Sequence, residues 1–164
     1  FSSSSYHISL EVVQPCRYVL SAALSAGSTV GAPIIFSGAT VQLTQTDIAD
    51  VFEFNVLSPV GGGVEQDTFH DAGIITPGIY DLRASANSAI DYEATTPFTG
   101  QSAYEMHLGL TRPGNVNGDW TVDVADLLQL LAAWGPCDPY CDEDVNADGV
   151  VDVQDLLWLL ASWI

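Results

Sequence analysis

Lysine is missing from this chain altogether, and the only arginines are Arg17, Arg83 and Arg112, set against 21 acidic residues. A nucleic-acid partner is thereby excluded, because nothing is available to neutralise phosphates. Anionic membrane surfaces are disfavoured for the same reason. Lys–Asn isopeptide cross-links and Schiff-base chemistry are excluded outright. No stretch approaches the roughly 20 apolar residues that cross a bilayer, so no membrane insertion is expected. The chain opens on Phe1 without an initiator Met or an apolar leader, which reads as a processed protein, secreted and extracellular or at the cell surface. Histidine is scarce and scattered (His7, His70, His107), and none stands in a nucleophile or metal motif. No acid–base pair or cofactor motif is visible, so no enzyme is expected.

What is present divides at Pro113-Gly114. Upstream, apolar residues alternate with polar ones: Tyr6, Ile8, Leu10 and Val12; Tyr18, Leu20, Ala22 and Leu24; Phe52, Phe54 and Val56; Tyr80, Leu82, Ala84 and Ala86; Tyr104, Met106, Leu108 and Leu110. A period of two marks strands with one buried face. Pro15, Pro33, Pro59, Pro77 and Pro97 supply breaks between them. About seven to nine strands in residues 1–112 predict an all-β sandwich, jelly-roll or immunoglobulin-like, with residues 1–14 as an edge or exchanged strand. Glu65, Asp67, His70 and Asp71 read as an acidic, solvated loop.

Downstream, residues 115–126 (Asn-Val-Asn-Gly-Asp-Trp-Thr-Val-Asp-Val-Ala-Asp) recur at 144–155 as Asp-Val-Asn-Ala-Asp-Gly-Val-Val-Asp-Val-Gln-Asp. Each copy runs into a leucine-rich segment ending in Trp134 or Trp163. Oxygen-bearing side chains fall at positions 1, 3, 5, 9 and 12 of both loops, which is how a short loop wraps a hard cation; Ca2+ suits it better than Mg2+. The expected ligands of the first site are Asn115, Asn117, Asp119, Asp123 and Asp126, with the Thr121 carbonyl at position 7. Those of the second are Asp144, Asn146, Asp148, Asp152 and Asp155, with the Val150 carbonyl. Position 6, where the backbone turns sharply, is Gly149 in one loop and Trp120 in the other.

Two such loops, each closed by Asp rather than Glu and followed but not preceded by a helix, resemble a dockerin module. The resemblance covers residues 113–164. It implies a small α-helical domain folded around two Ca2+ ions and a cohesin-like domain as partner. At positions 10 and 11, where dockerins carry small polar residues read by cohesin, this chain has Val124-Ala125 and Val153-Gln154. The expected architecture is therefore multidomain, a sandwich followed by a dockerin-like calcium-binding module.

Cys137 and Cys141, between the repeats, are expected to form a disulfide that pins the inter-repeat turn; Cys16 is left over. The last helix is apolar nearly all round: Leu156, Leu157, Trp158, Leu159, Leu160, Trp163 and Ile164. A surface helix needs only one apolar stripe. Candidates for contacts outside the chain are Trp120 and Trp158, where the repeats differ most, together with Cys16 and the strand Tyr6, Ile8, Leu10 and Val12. Three functional readings follow. One is a non-catalytic structural subunit that assembles with copies of itself, by N-terminal strand donation if it forms a filament. Another is a sandwich that binds polysaccharide and is anchored through its dockerin to cohesin. The last is a small dockerin-bearing hydrolase.

Overall fold

A computed structural model describes residues 2–29, 36–46, 48–59, 62–89, 99–137 and 141–163. Pro33, Pro97 and Ile164 lie outside them. The described chain is mostly β-sheet with two short helices. Seven long strands come first: β1 (Ser2–Val12), β2 (Cys16–Ser28), β3 (Phe36–Gln45), β4 (Ala49–Leu57), β5 (Gly63–Ile75), β6 (Gly78–Ala89) and β7 (Gly100–Thr111). Then come α1 (Val124–Ala132), β8 (Gly135–Pro136), β9 (Val150–Val151) and α2 (Val153–Ala161).

The long strands form two sheets, of order β1-β6-β3-β4 and β5-β2-β7. Among them, only β3 and β4 follow one another within a sheet; every other connection passes to the opposite one. The arrangement is consistent with an all-β sandwich. β3 is central to its sheet, antiparallel to both neighbours, with Val41 opposite Phe54 on one side and Ala84 on the other. Alternation along the strands builds the core: Leu20, Ala22, Leu24 and Ala26 of β2, Ala39, Val41 and Leu43 of β3, and Tyr80, Leu82, Ala84 and Ala86 of β6 are all buried. Several side-chain contacts join the sheets, two of them at β4 and β3. The Phe54 ring of β4 stacks on Phe69 of β5 at 4.6 Å, and the buried Ser37 hydroxyl of β3 donates to the Gln101 carbonyl of β7 at 2.6 Å.

Two compact units result. The first comprises Phe1–Glu11, Ser21–His70 and Gly78–His107; the second comprises Val12–Leu20, Asp71–Pro77 and Leu108–Ile164. Strands β2, β5 and β7 each contribute to both. The repeat region is thus grouped with strand ends that the break at Pro113-Gly114 does not announce.

Three expectations are corrected. Glu65, Asp67, His70 and Asp71 are not in a loop but on β5. Strand β5 is at a sheet edge, and residues 64–68 are exposed on both faces, so no apolar alternation marks them. Asp71 accepts a 2.8 Å hydrogen bond from the Tyr18 hydroxyl, whose pKa burial raises well above the phenol range. Strand β1 pairs with β6 of its own chain, and of its expected inner face only Val12 is buried; Tyr6 and Ile8 stay exposed. On β7, Tyr104, Met106, Leu108 and Leu110 are half-buried, as befits the other sheet's edge. His7 and His107 point outward as expected, against Asp81 at 2.9 Å and Glu105 at 3.4 Å.

Leu43→Ala empties a fully buried site between β4 and β6, and is expected to cost about 2–5 kcal/mol. Val13→Ala, at a residue 75% exposed, is expected to stay within about 0.5 kcal/mol. Urea midpoints of the two variants make the comparison.

Candidate metal centre

The two repeats fold as copies. Their small core is three matched pairs, Val116 with Val145, Val122 with Val151, and Leu130 with Leu159, at positions 2, 8 and 16 of each repeat. Ile74, Leu127, Leu156, Cys141 and Trp158 pack against it. Gly114 starts the second unit's loop at φ +85°, where a Cβ would lie 2.5 Å from the Leu159 Cα. Only glycine fits that approach.

Position 12 closes each loop. Asp126 and Asp155 are fully buried. Asp126 Oδ1 accepts from the amides of Val116 (2.8 Å) and Asn117 (3.0 Å), and its Oδ2 accepts from Asp123 N (2.9 Å). Asp155 repeats the bracket with Val145 (2.8 Å), Asn146 (3.1 Å) and Asp152 (2.8 Å). Position 9 caps the helix: Asp123 Oδ1 accepts from Ala125 N, and Asp152 Oδ1 from Gln154 N, both at 2.7 Å. Positions 9 and 12 together form a capping box on α1 and another on α2. The same carboxylates face the positive end of the helix dipole.

Positions 1, 3 and 5 fold the loop's first half. Asn117 Oδ1 accepts from Asp119 N, and Asn146 Oδ1 from Asp148 N. Position 1 accepts an amide further on: Asn115 from Gly118, Asp144 from Asp148 and Gly149. Asp119 Oδ1 takes both the hydroxyl (2.7 Å) and the amide (2.9 Å) of Thr121. Chiefly through that hydroxyl, the Asp119 carboxyl is held below the usual carboxylate range. Its contribution to stability is therefore present above the ordinary carboxylate pKa and fades as pH falls through the lowered one.

The backbones match as well. Positions 4 and 6 are left-handed in both loops: Gly118 (φ 74°) and Trp120 (φ 76°) in the first, Ala147 (φ 61°) and Gly149 (φ 91°) in the second. Each loop places its glycine at one of the two positions and strains a side-chain-bearing residue at the other. Trp120, one of the two tryptophans put forward for contacts outside the chain, is 81% exposed. Trp158 does the opposite, half-buried against the core.

The donor chemistry fits a hard cation. Each loop gathers carboxylate, amide and main-chain carbonyl oxygens, with no sulfur or imidazole among them. Among the described residues no three His, Cys, Asp or Glu side chains cluster as a metal group. The loop carboxylates are turned to their own amides and do not converge as a ring of ligands.

Between the repeats, Cys137 and Cys141 form the expected disulfide, with Cα atoms 5.8 Å apart. Cys137 N donates to the Gly149 carbonyl, extending the β8–β9 ribbon of Gly135–Pro136 with Val150–Val151. Cys16 is a free, half-buried thiol whose pKa burial raises. Arg17, buried beside it, was not singled out from sequence. Its Nη2 donates to the carbonyls of Cys141 (3.3 Å) and Asp144 (3.4 Å).

Both helices keep an apolar stripe in solvent: Val124, Leu128 and Leu131 on α1, with Trp134 just beyond; Val153, Leu157 and Leu160 on α2, with Trp163 beyond. The stripes occupy the same positions of the repeat.

Trp120→Gly relieves left-handed strain at an exposed site and is expected to stabilise the second unit by roughly 1–2 kcal/mol. Gly114→Ala combines that strain with a backbone clash and is expected to destabilise it by about 2–4 kcal/mol. Thermal unfolding of both variants, followed by near-ultraviolet tryptophan signals, checks the opposite signs.

No protein-family model matches the chain and no curated protein matches it, so the loops themselves carry the functional reading.

Proposed function

We propose that this chain is a secreted, non-catalytic, calcium-binding structural subunit of an extracellular assembly. In this reading residues 113–164 act as a dockerin-like module that braces contacts within or between subunits. The observation that carries it is the duplication of the hydrogen bonds made by positions 3, 9 and 12 of the loop, with oxygen-bearing groups at positions 1, 3, 5, 7, 9 and 12 each time. Asn115, Asn117, Asp119, Asp123, Asp126 and the Thr121 carbonyl would hold one Ca2+. Asp144, Asn146, Asp148, Asp152, Asp155 and the Val150 carbonyl would hold the other. Bound calcium supplies positive charge to a region that has none of its own: residues 113–164 contain ten acidic residues and no Lys or Arg.

The matched apolar stripes on α1 and α2 support a protein partner, either another copy or a cohesin-like domain. A polysaccharide partner has less support, since it calls for a strip of exposed aromatics on a sheet face. Among the described aromatic side chains of the strands, Tyr6 is the one that stands well exposed. The passage of successive strands between sheets favours a jelly-roll over an immunoglobulin-like sandwich. Since β1 already pairs in its own chain, a filament built by strand donation would exchange that pairing with a neighbour.

Calorimetric titration of the chain with CaCl2 is expected to show two ions bound. At free calcium 100 times Kd, each site then adds about 2.7 kcal/mol of stability. Light scattering is expected to show assembly with calcium and dispersal with EDTA. Absence of binding at millimolar calcium removes the proposal; binding with scattering indifferent to EDTA keeps the calcium sites and removes the assembly.

A further inference from the structure

The loops are copies in backbone but not in charge. The first carries three carboxylates, Asp119, Asp123 and Asp126. The second carries four, because Asp144 stands where the first has Asn115. Asp144 is itself buried, so its charge is poorly screened by solvent. The surplus falls where the chain places a buried cation. The Arg17 side chain is 9% exposed, and its Nη2 donates to the Asp144 carbonyl, at position 1 of that loop, and to the Cys141 carbonyl just ahead of it. Its Nη1 lies 3.5 Å from Asp142 Oδ1. Arg112, next to the first loop in sequence, is exposed and its charge is screened.

We infer that Arg17 is the built-in counter-charge of the second loop: it sets a buried positive charge at the residue that carries the extra carboxylate and fixes the loop's first carbonyl, so that this loop is held more firmly without a metal than the first. The difference lies in ordering. The second loop is tied by the guanidinium, the Cys137–Cys141 disulfide and the β8–β9 ribbon, whereas the first lacks the disulfide and a buried cation. Preorganisation lowers the cost of binding, so the second loop fills before the first. That order rests on the calcium reading; the counter-charge itself does not.

Amide hydrogen exchange on the full chain in EDTA tests it. Val145 and Asn146 donate to Asp155 just as Val116 and Asn117 donate to Asp126, so the four amides form a matched comparison. In the unaltered chain Val145 and Asn146 are expected to exchange at least about 10-fold more slowly than Val116 and Asn117, the scale of one charge-assisted hydrogen bond. Arg17→Met is expected to abolish that difference while leaving Val116 and Asn117 within about threefold of their original rates. Asp144→Asn introduced into Arg17→Met is expected to restore part of the protection, because the charge in need of balance is gone. Arg17→Lys, which keeps the charge but loses the fork, is expected to fall between. Equal protection of the two loops at the outset, or equal loosening of both by Arg17→Met, overturns the inference. If Arg17→Met loses its far-ultraviolet strand signal, Arg17→Lys decides alone: loop-selective loss supports, uniform loss overturns. A loop-selective effect in a chain that binds no calcium would retain the counter-charge and remove only the filling order.

Discussion

The buried carboxylate at position 12 is the interaction on which the second unit depends. Asp126 and Asp155 each gather three amides, two at the start of the loop and one at the start of its helix, and so fix both ends of the loop against each other. A group that is both charged and fully buried is tolerated only when its hydrogen bonds are complete. With the bracket closed, the flanking valines at positions 2 and 8 are delivered inward as a core, and the oxygens of positions 3 and 5 are left on the loop's surface. One residue therefore serves as helix cap, loop latch and candidate ligand, which explains why Asp, with its shorter reach, stands where a longer acid would not seat against the amides of position 2.

The absence of lysine shapes the rest. With ten acidic residues and no basic ones after Pro113, the repeat region has no means of its own of neutralising itself, so its charge must be met by cations from solution, by helix dipoles or by a strand elsewhere in the chain. Arg17 of β2 is that strand's contribution. The same charge would repel a second copy, and the exposed stripes of α1 and α2 would attract one; bound calcium shifts the balance toward attraction. Proposed calcium binding and proposed assembly are thus two sides of one electrostatic condition.

Much of the fold was legible where burial is one-sided. Strands β2, β4 and β6 read directly as alternation because one face of each is sealed. β3 carries the same signal in Ala39, Val41 and Leu43, between Thr40, Gln42 and Thr44, and was there to be found. β5 was not, since an edge strand wet on both faces leaves no period. In the repeats, spacing gave both loops and their helices, and Val at positions 2 and 8 of both copies was a readable sign of the core. The reading of Asp123 and Asp126 as ligands missed that Asp-x-x-Asp is also a capping box.

By itself the sequence determined the alternation of the strands, the duplicated loops, the inter-repeat disulfide and the one-sided charge, because each is set by local spacing or by composition. The tertiary structure decided which tryptophan turns outward, what the position-12 carboxylates hold, and that Arg17 reaches the second loop. Those depend on residues far apart in the chain being brought within a few ångströms, across 125 positions between Arg17 and Asp142, and no local pattern encodes that.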